Sequence, residues 1–187
     1  MGRGEPRARY RCSHRAPVAS KTVRADHAQR DINRQTGPRH AMTERAARAI
    51  AKTAYQGQQT PAGGSLFDHV QRVAAAVPKH ARVTALLHDV LERTDLTLGQ
   101  LRAQGLSPVE LSALVLLTRN THDDYRAYVE RIADEPGPHG ALARLVKLAD
   151  LEDHLADPRC ASRSTRPYEW GRQAILLAHS HAATRIP

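Results

Sequence analysis

His88 and Asp89 are adjacent, and Glu92 follows four residues after the first and three after the second. On a helix that spacing turns all three side chains to one side. Imidazole and carboxylate together suit a hard or borderline divalent ion such as Mn²⁺. The dipeptide alone says little: eleven His and eleven Asp in 187 residues give about 0.6 such pairs by chance. A second pair, His122–Asp123, does occur, in the polar stretch RNTHDDYR. What sets the first apart is its surroundings, LLHDVL, where an uncompensated carboxylate is costly to bury. A buried salt bridge or hydrogen bond would answer that cost, and so would a metal. A metal needs further donors, and Asp150 in LVKLADLEDHLA is a second carboxylate set among Leu148, Ala149 and Leu151.

Helices must position these groups. From Thr43 onward apolar residues recur at helical spacing and strand-like alternation is absent. The pattern predicts an all-α globule of seven or eight helices. The first covers about 43–56, with Thr43 able to cap it, and is followed by a loop containing Pro61, Gly63 and Gly64. A second helix is expected over 67–76, ending before Pro78, and a third over 80–92, apolar around most of its circumference and therefore central. LTLGQLRAQG predicts a short helix closed at Gly105. Ser107, Pro108 and Glu110 form a capping box that opens the next helix, to about Leu117. One more begins near Thr121, ALARLVKLADLEDHLA follows the turn PGPHG, and a last helix spans about 167–183.

In order and spacing, AYQGQQTPAGGSLFDHVQRVA, ALLHDVLERTDLTLGQL and LVKLADLEDHL resemble the HD-domain hydrolases of the RelA/SpoT family, especially the small stand-alone alarmone hydrolases. The resemblance covers about residues 43–157. It implies an all-helical HD fold and a metal-dependent pyrophosphohydrolase, typically using Mn²⁺, that removes the 3′-pyrophosphate of (p)ppGpp. It matches His88, Asp89 and Asp150 to metal ligands and Glu92 to the first of two acidic residues that activate or orient the attacking water. Lys147, one turn before Asp150, could neutralise phosphate charge or equally be a salt-bridged lysine.

The chain departs from the family pattern at three positions. Tyr55 stands where the family has a metal-binding histidine, and a phenol with a pKa near 10 is a poor replacement. Arg93 replaces the second acidic residue, and His154 replaces an Asn used for substrate contact. In a constructive reading His154 supplies the lost imidazole and Arg93 binds phosphate. In a degenerate reading the pocket is a catalytically silent nucleotide or phosphate sensor. His69, in FDHVQRV, is expected to be structural or supporting, and Tyr125 and Tyr128 to pack in the core rather than stack on a nucleobase.

The formal charge of +9 is unevenly spread. Residues 1–41 carry ten Lys/Arg against three acids, and 42–187 carry 18 against 16. The first segment, with few large apolar residues, reads as a disordered basic leader, with Met42 an alternative start of the hydrolase-like domain at 42–187. A transit peptide is a weaker reading, since its serines are few. Its basic residues lack interleaved aromatics beyond Tyr10, so nucleic acid is not the expected partner. No apolar run is long enough for a membrane span and no secretory h-region is present, which points to the cytoplasm. Cys12 and Cys160 share no motif spacing and are expected to be unpaired thiols.

Overall fold

The computed structural model describes residues 41–160 and 165–183. The leader as far as residue 40, with Tyr10 and Cys12, lies outside the described residues. Among the described residues every regular element is helical. They are α1 (Glu44–Ala54), α2 (Leu66–Ala76), α3 (Arg82–Leu87), α4 (Val90–Arg93), α5 (Leu98–Ala103), α6 (Pro108–Leu117), α7 (Tyr125–Asp134), α8 (Gly137–Ala156) and α9 (Arg166–Ala183). Short 3-10 turns precede α3 and follow α8.

Local chemistry sets most of the boundaries. Thr43 caps α1 by accepting the Ala46 N–H, and Ser65 caps α2 through Asp68 N–H. Thr97 with Gln100, and Ser107 with Glu110, form reciprocal capping boxes on α5 and α6. Gly105, at φ +98°, lets the chain turn out of α5, and its carbonyl accepts the N–H of buried Met42. The helix expected near Thr121 starts later, at Tyr125, because the Asp124 carboxylate accepts the N–H groups of Arg126 and Ala127 and so defines the cap.

Two helices organise the core. α3 is buried at every position from Val83 to Leu87 and packs against α1, α2 and α6. α8 runs for 20 residues and packs against α2, α6, α7 and α9. Its buried stripe includes Leu142, Ala143, Val146, Ala149 and Leu151, and Asp150 falls on that stripe. Two features fix its start. Buried Arg144 donates from Nη1 to the carbonyls of Ala133 (3.2 Å) and Glu135 (2.6 Å), satisfying the end of α7. At Gly140 a Cβ would stand 2.0 Å from the Glu135 carbonyl oxygen, so only glycine permits this approach.

The single helix expected over 80–92 is interrupted. α3 stops at Leu87 and α4 starts at Val90, although His88 and Asp89 keep right-handed backbone angles. The cause is local: His88 Nδ1 bonds the Ala85 carbonyl at 2.8 Å, the acceptor that Asp89 N–H would use in an unbroken helix. No described helix is long and apolar enough to cross a membrane.

Candidate metal centre

The break in the central helix places the His88 imidazole inward, where α2 and α8 bring three more donors. Asp150, almost fully buried, is the hub. Its Oδ1 lies 3.2 Å from His69 Nε2, 3.3 Å from His154 Nε2 and 3.7 Å from His88 Nε2. Its Oδ2 accepts from Lys147 Nζ at 2.8 Å. Asp89, more open, adds an oxygen 3.3 Å from His88 Nε2. Ligand atoms of His69, His88 and Asp89 lie within 4.8 Å of one another, and so do those of His69, Asp150 and His154. The His69 ring stacks on His154 at 4.8 Å, and His154 in turn on Tyr168 of α9 at 5.0 Å.

The donor set fits a divalent cation. Both buried imidazoles have Nδ1 occupied, His69 by Asp153 Oδ2 and His88 by the Ala85 carbonyl, each at 2.8 Å. A neutral imidazole bonded in this way turns the lone pair of Nε2 toward the cluster. The Nε2 atoms of His69 and His88 are buried without a hydrogen-bond partner, and they face carboxylate oxygens. Acceptors facing acceptors at these distances require positive charge between them, supplied by protons or by a metal ion.

The electrostatics show the same demand. Burial disfavours the charged form of His69, but the facing carboxylates of Asp150 and Asp153 outweigh it and raise its pKa to about 10. His88 is also raised, burial being overcome by Asp89 and Asp150. For Asp150, burial is outweighed by Lys147 and the three histidines, which hold its carboxyl well below the usual range. Lys147 is pushed up despite its burial, mainly by Asp150. Glu92 exposes much of its surface, yet its carboxyl is shielded. That shielding first, and Asp89 second, raise its pKa, while the Arg119 N–H donated to it at 3.1 Å opposes the rise.

No protein-family model matches the chain, and no curated protein matches it in sequence. Among solved structures, one described as a metazoan ortholog of SpoT that hydrolyses ppGpp and plays a role in starvation responses does match. The TM-score is 0.57, with 19% sequence identity, over 77% of this chain and 88% of that one. This chain shares its fold. At that identity the likeness concerns the all-helical architecture, consistent with an HD domain.

Of the residues singled out from sequence, His88, Asp89, Asp150, His154 and Lys147 are brought together, and Glu92 lies near enough to Asp89 and Lys147 to feel both charges. Tyr55, the C-cap of α1, is buried beside Asp89; its hydroxyl completes no hydrogen bond, and burial first, then Asp89, push its pKa well above the phenol range. Arg93 is engaged elsewhere, donating to the Gln59 carbonyl at 2.6 Å. Tyr128 is buried and donates to the Leu117 carbonyl, while half-buried Tyr125 packs beside Gly171. His122 is exposed, and Asp123 accepts from Asn120 in a turn, so the second His-Asp pair stays outside the cluster.

His69 is the residue that periodicity undervalued: it faces Asp150 directly, and Asp153, unremarked in the sequence, holds it there. The signal was a complementary spacing. His69 and Arg72 recur at i and i+3 on α2, and Asp150 and Asp153 do so on α8, the helix against which α2 packs.

Proposed function

We propose that this chain is a metal-dependent phosphohydrolase acting on a cytoplasmic nucleotide that carries a pyrophosphate group, of the guanosine polyphosphate type. The observation that carries the reading is the pair of orphaned, buried imidazole nitrogens turned on the carboxylates of Asp89 and Asp150. The fold likeness to a ppGpp hydrolase supports the same reaction class. His88, Asp89 and Asp150 would hold the divalent ion, Mn²⁺ on the family resemblance, with His154 beside them. When bound, such an ion polarises a phosphoryl oxygen and lowers the pKa of water.

The remaining work falls to side chains. Hydrolysis adds a water oxygen to the phosphorus next to the sugar and breaks its bond to the ribose oxygen, releasing pyrophosphate and a hydroxyl. Glu92, with a raised pKa, is suited to take the proton from that water. The Arg119 N–H fixes the carboxylate that does so. Lys147 holds Asp150 in place and adds positive charge behind the site.

The test is pyrophosphate release from ppGpp by the full chain with Mn²⁺. Glu92→Gln should slow it by about 10²–10⁴-fold with metal content unchanged. If neither the parent nor a Tyr55→His, Arg93→Asp variant releases pyrophosphate, the reaction is wrong. A specific pair of observations favours a second reading, a silent nucleotide sensor: Tyr55, where the resemblance expects a histidine, is a buried phenol beside Asp89, and Arg93 is bound to Gln59. Tight ppGpp binding without release, in the parent and in the restored variant, would establish it.

A further inference from the structure

We infer that Arg159 forms an anion subsite at the lip of the candidate site, where its Nη1–Nη2 edge takes the phosphate group at the far end of the ribose from the bond that is cleaved. The substrate class is then a nucleotide phosphorylated at both its 3′ and 5′ positions. The inference rests on the reading of the chain as a nucleotide phosphohydrolase and adds the residue that recognises the second phosphate.

The turn between α1 and α2 supplies the seat. Gln59 pairs with Ser65 across it, the Thr60 N–H donates to the Gly64 carbonyl at 2.8 Å, and the Gly64 N–H donates to the Thr60 hydroxyl at 3.2 Å. Arg93 secures the turn through its bond to the Gln59 carbonyl. Arg159, in the 3-10 turn Pro158–Cys160 that follows α8, lies against Gly64. A Cβ on Gly64 would stand 2.4, 2.5 and 2.6 Å from its Nη2, Nη1 and Cζ, so the guanidinium rests face-on in the space a side chain would fill.

The neighbouring contacts then fix which edge is offered. Nε faces Asp157, with Oδ1 at 2.9 Å and Oδ2 at 3.2 Å. Among the described residues Nη1 and Nη2 have no hydrogen-bond partner, and the side chain is 50% exposed. The nearby guanidinium groups are occupied: Arg72 clamps Asp153 through Nε and Nη2 at 2.6 and 2.9 Å, and Arg93 is held by Gln59. A planar guanidinium held by one edge and open at the other is preorganised for phosphate, which it can meet with two parallel N–H donors.

Position relates this edge to the buried cluster. Asp150, His154 and Asp157 fall at i, i+4 and i+7 along α8 and its C-cap, so one stripe runs from the hub outward to the carboxylate that holds Arg159. At 1.5 Å of rise per residue, Asp157 stands about 10 Å along the axis from Asp150. A nucleotide phosphorylated at both ends of its ribose can bridge that gap, with its pyrophosphate beside Asp150 and its other phosphate at Arg159.

Steady-state hydrolysis by the full chain with Mn²⁺ tests this on two substrates that share the 3′-pyrophosphate: ppGpp, and guanosine 3′-diphosphate, which has no 5′-phosphate. Arg159→Gln should raise KM for ppGpp by about 10-fold, the low end for a charge-assisted contact at a half-exposed group, with kcat unchanged and guanosine 3′-diphosphate unaffected. Gly64→Ala puts a Cβ where the guanidinium rests and should raise the same KM without removing a charge, which keeps the test open if the Gln variant fails to fold. Titration calorimetry with GDP reads the subsite apart from the chemistry, and Arg159→Gln should weaken that binding by a similar factor. Equal KM changes for the two substrates, no change in either variant, or GDP that binds without regard to Arg159 or not at all, overturns the subsite. Arg159-dependent GDP binding in a chain that releases no pyrophosphate keeps the subsite and sinks the reaction.

Discussion

Replacing Asp150 by Ala removes the counter-charge of a buried ammonium. The Lys147 and Asp150 side chains are 12% and 6% exposed, and Nζ sits 2.8 Å from Oδ2. Two unit charges at that distance attract by about 6 kcal/mol at an effective dielectric near 20, much of which is consumed in desolvating them. Removing one partner leaves the other charge uncompensated, at a cost of about 3–5 kcal/mol. The Tyr128 ring, 5.1 Å from Nζ, keeps some attraction for the ammonium and places the expectation near the lower bound. Lys147→Met should be milder, about 1.5–3 kcal/mol, because three imidazoles still face the Asp150 carboxylate and can carry protons. The double variant should therefore be more stable than the sum of the single losses. Urea unfolding in the presence of chelator, with the slope held common, measures all three. Against a typical domain stability of about 5–15 kcal/mol, the Asp150→Ala loss is unmistakable. A loss under about 1 kcal/mol, or a Lys147→Met cost above that of Asp150→Ala, would refute the view of Asp150 as the hub of a buried charge cluster.

Stability should respond to pH in opposite senses with and without metal. In the metal-free chain, the His69 pKa is raised from 6.5 to about 10. Its contribution is complete below 6.5 and is lost as pH climbs through 10. Thermal midpoints in chelator should fall across that window, and His69→Gln should flatten the profile. With Mn²⁺ present the slope should reverse, since ligand imidazoles must shed their protons and metal binding releases them. At α8, Gly140→Ala drives a Cβ against the Glu135 backbone carbonyl and should cost about 1–3 kcal/mol in chemical denaturation, with metal affinity unchanged.

Sequence patterning located most of the helices because capping residues sit where the helices begin: Thr43, Ser107 and Glu110 act as their positions suggest. It failed where a side chain competes with the backbone. Helical periodicity ran unbroken through LLHDVL, and nothing in it marked that His88 would take the Ala85 carbonyl and divide the helix. The Asp124 cap was similarly hidden in a run of polar residues, two of them adjacent aspartates. For the site, spacing joined His88 to Asp89 and an apolar setting marked out Asp150, but periodicity gives each helix its faces without saying how two helices align. His69, for which a ligand role was the weaker reading, gains weight once α2 is seen against α8, with Arg72 opposite Asp153.

The Arg72–Asp153 clamp also means that the centre is not electrically sealed from its surroundings. The guanidinium side chain is 47% exposed, whereas the carboxylate it grips is 12% exposed and touches His69. Two contacts thus connect bulk solvent to an imidazole facing Asp150. Ions in solution weaken exposed charge pairs, with a Debye length of about 8 Å at physiological strength. Salt that loosens Arg72 relaxes its hold on Asp153, and through Asp153 the aim of the His69 ring, so ionic strength becomes a variable of the inner cluster.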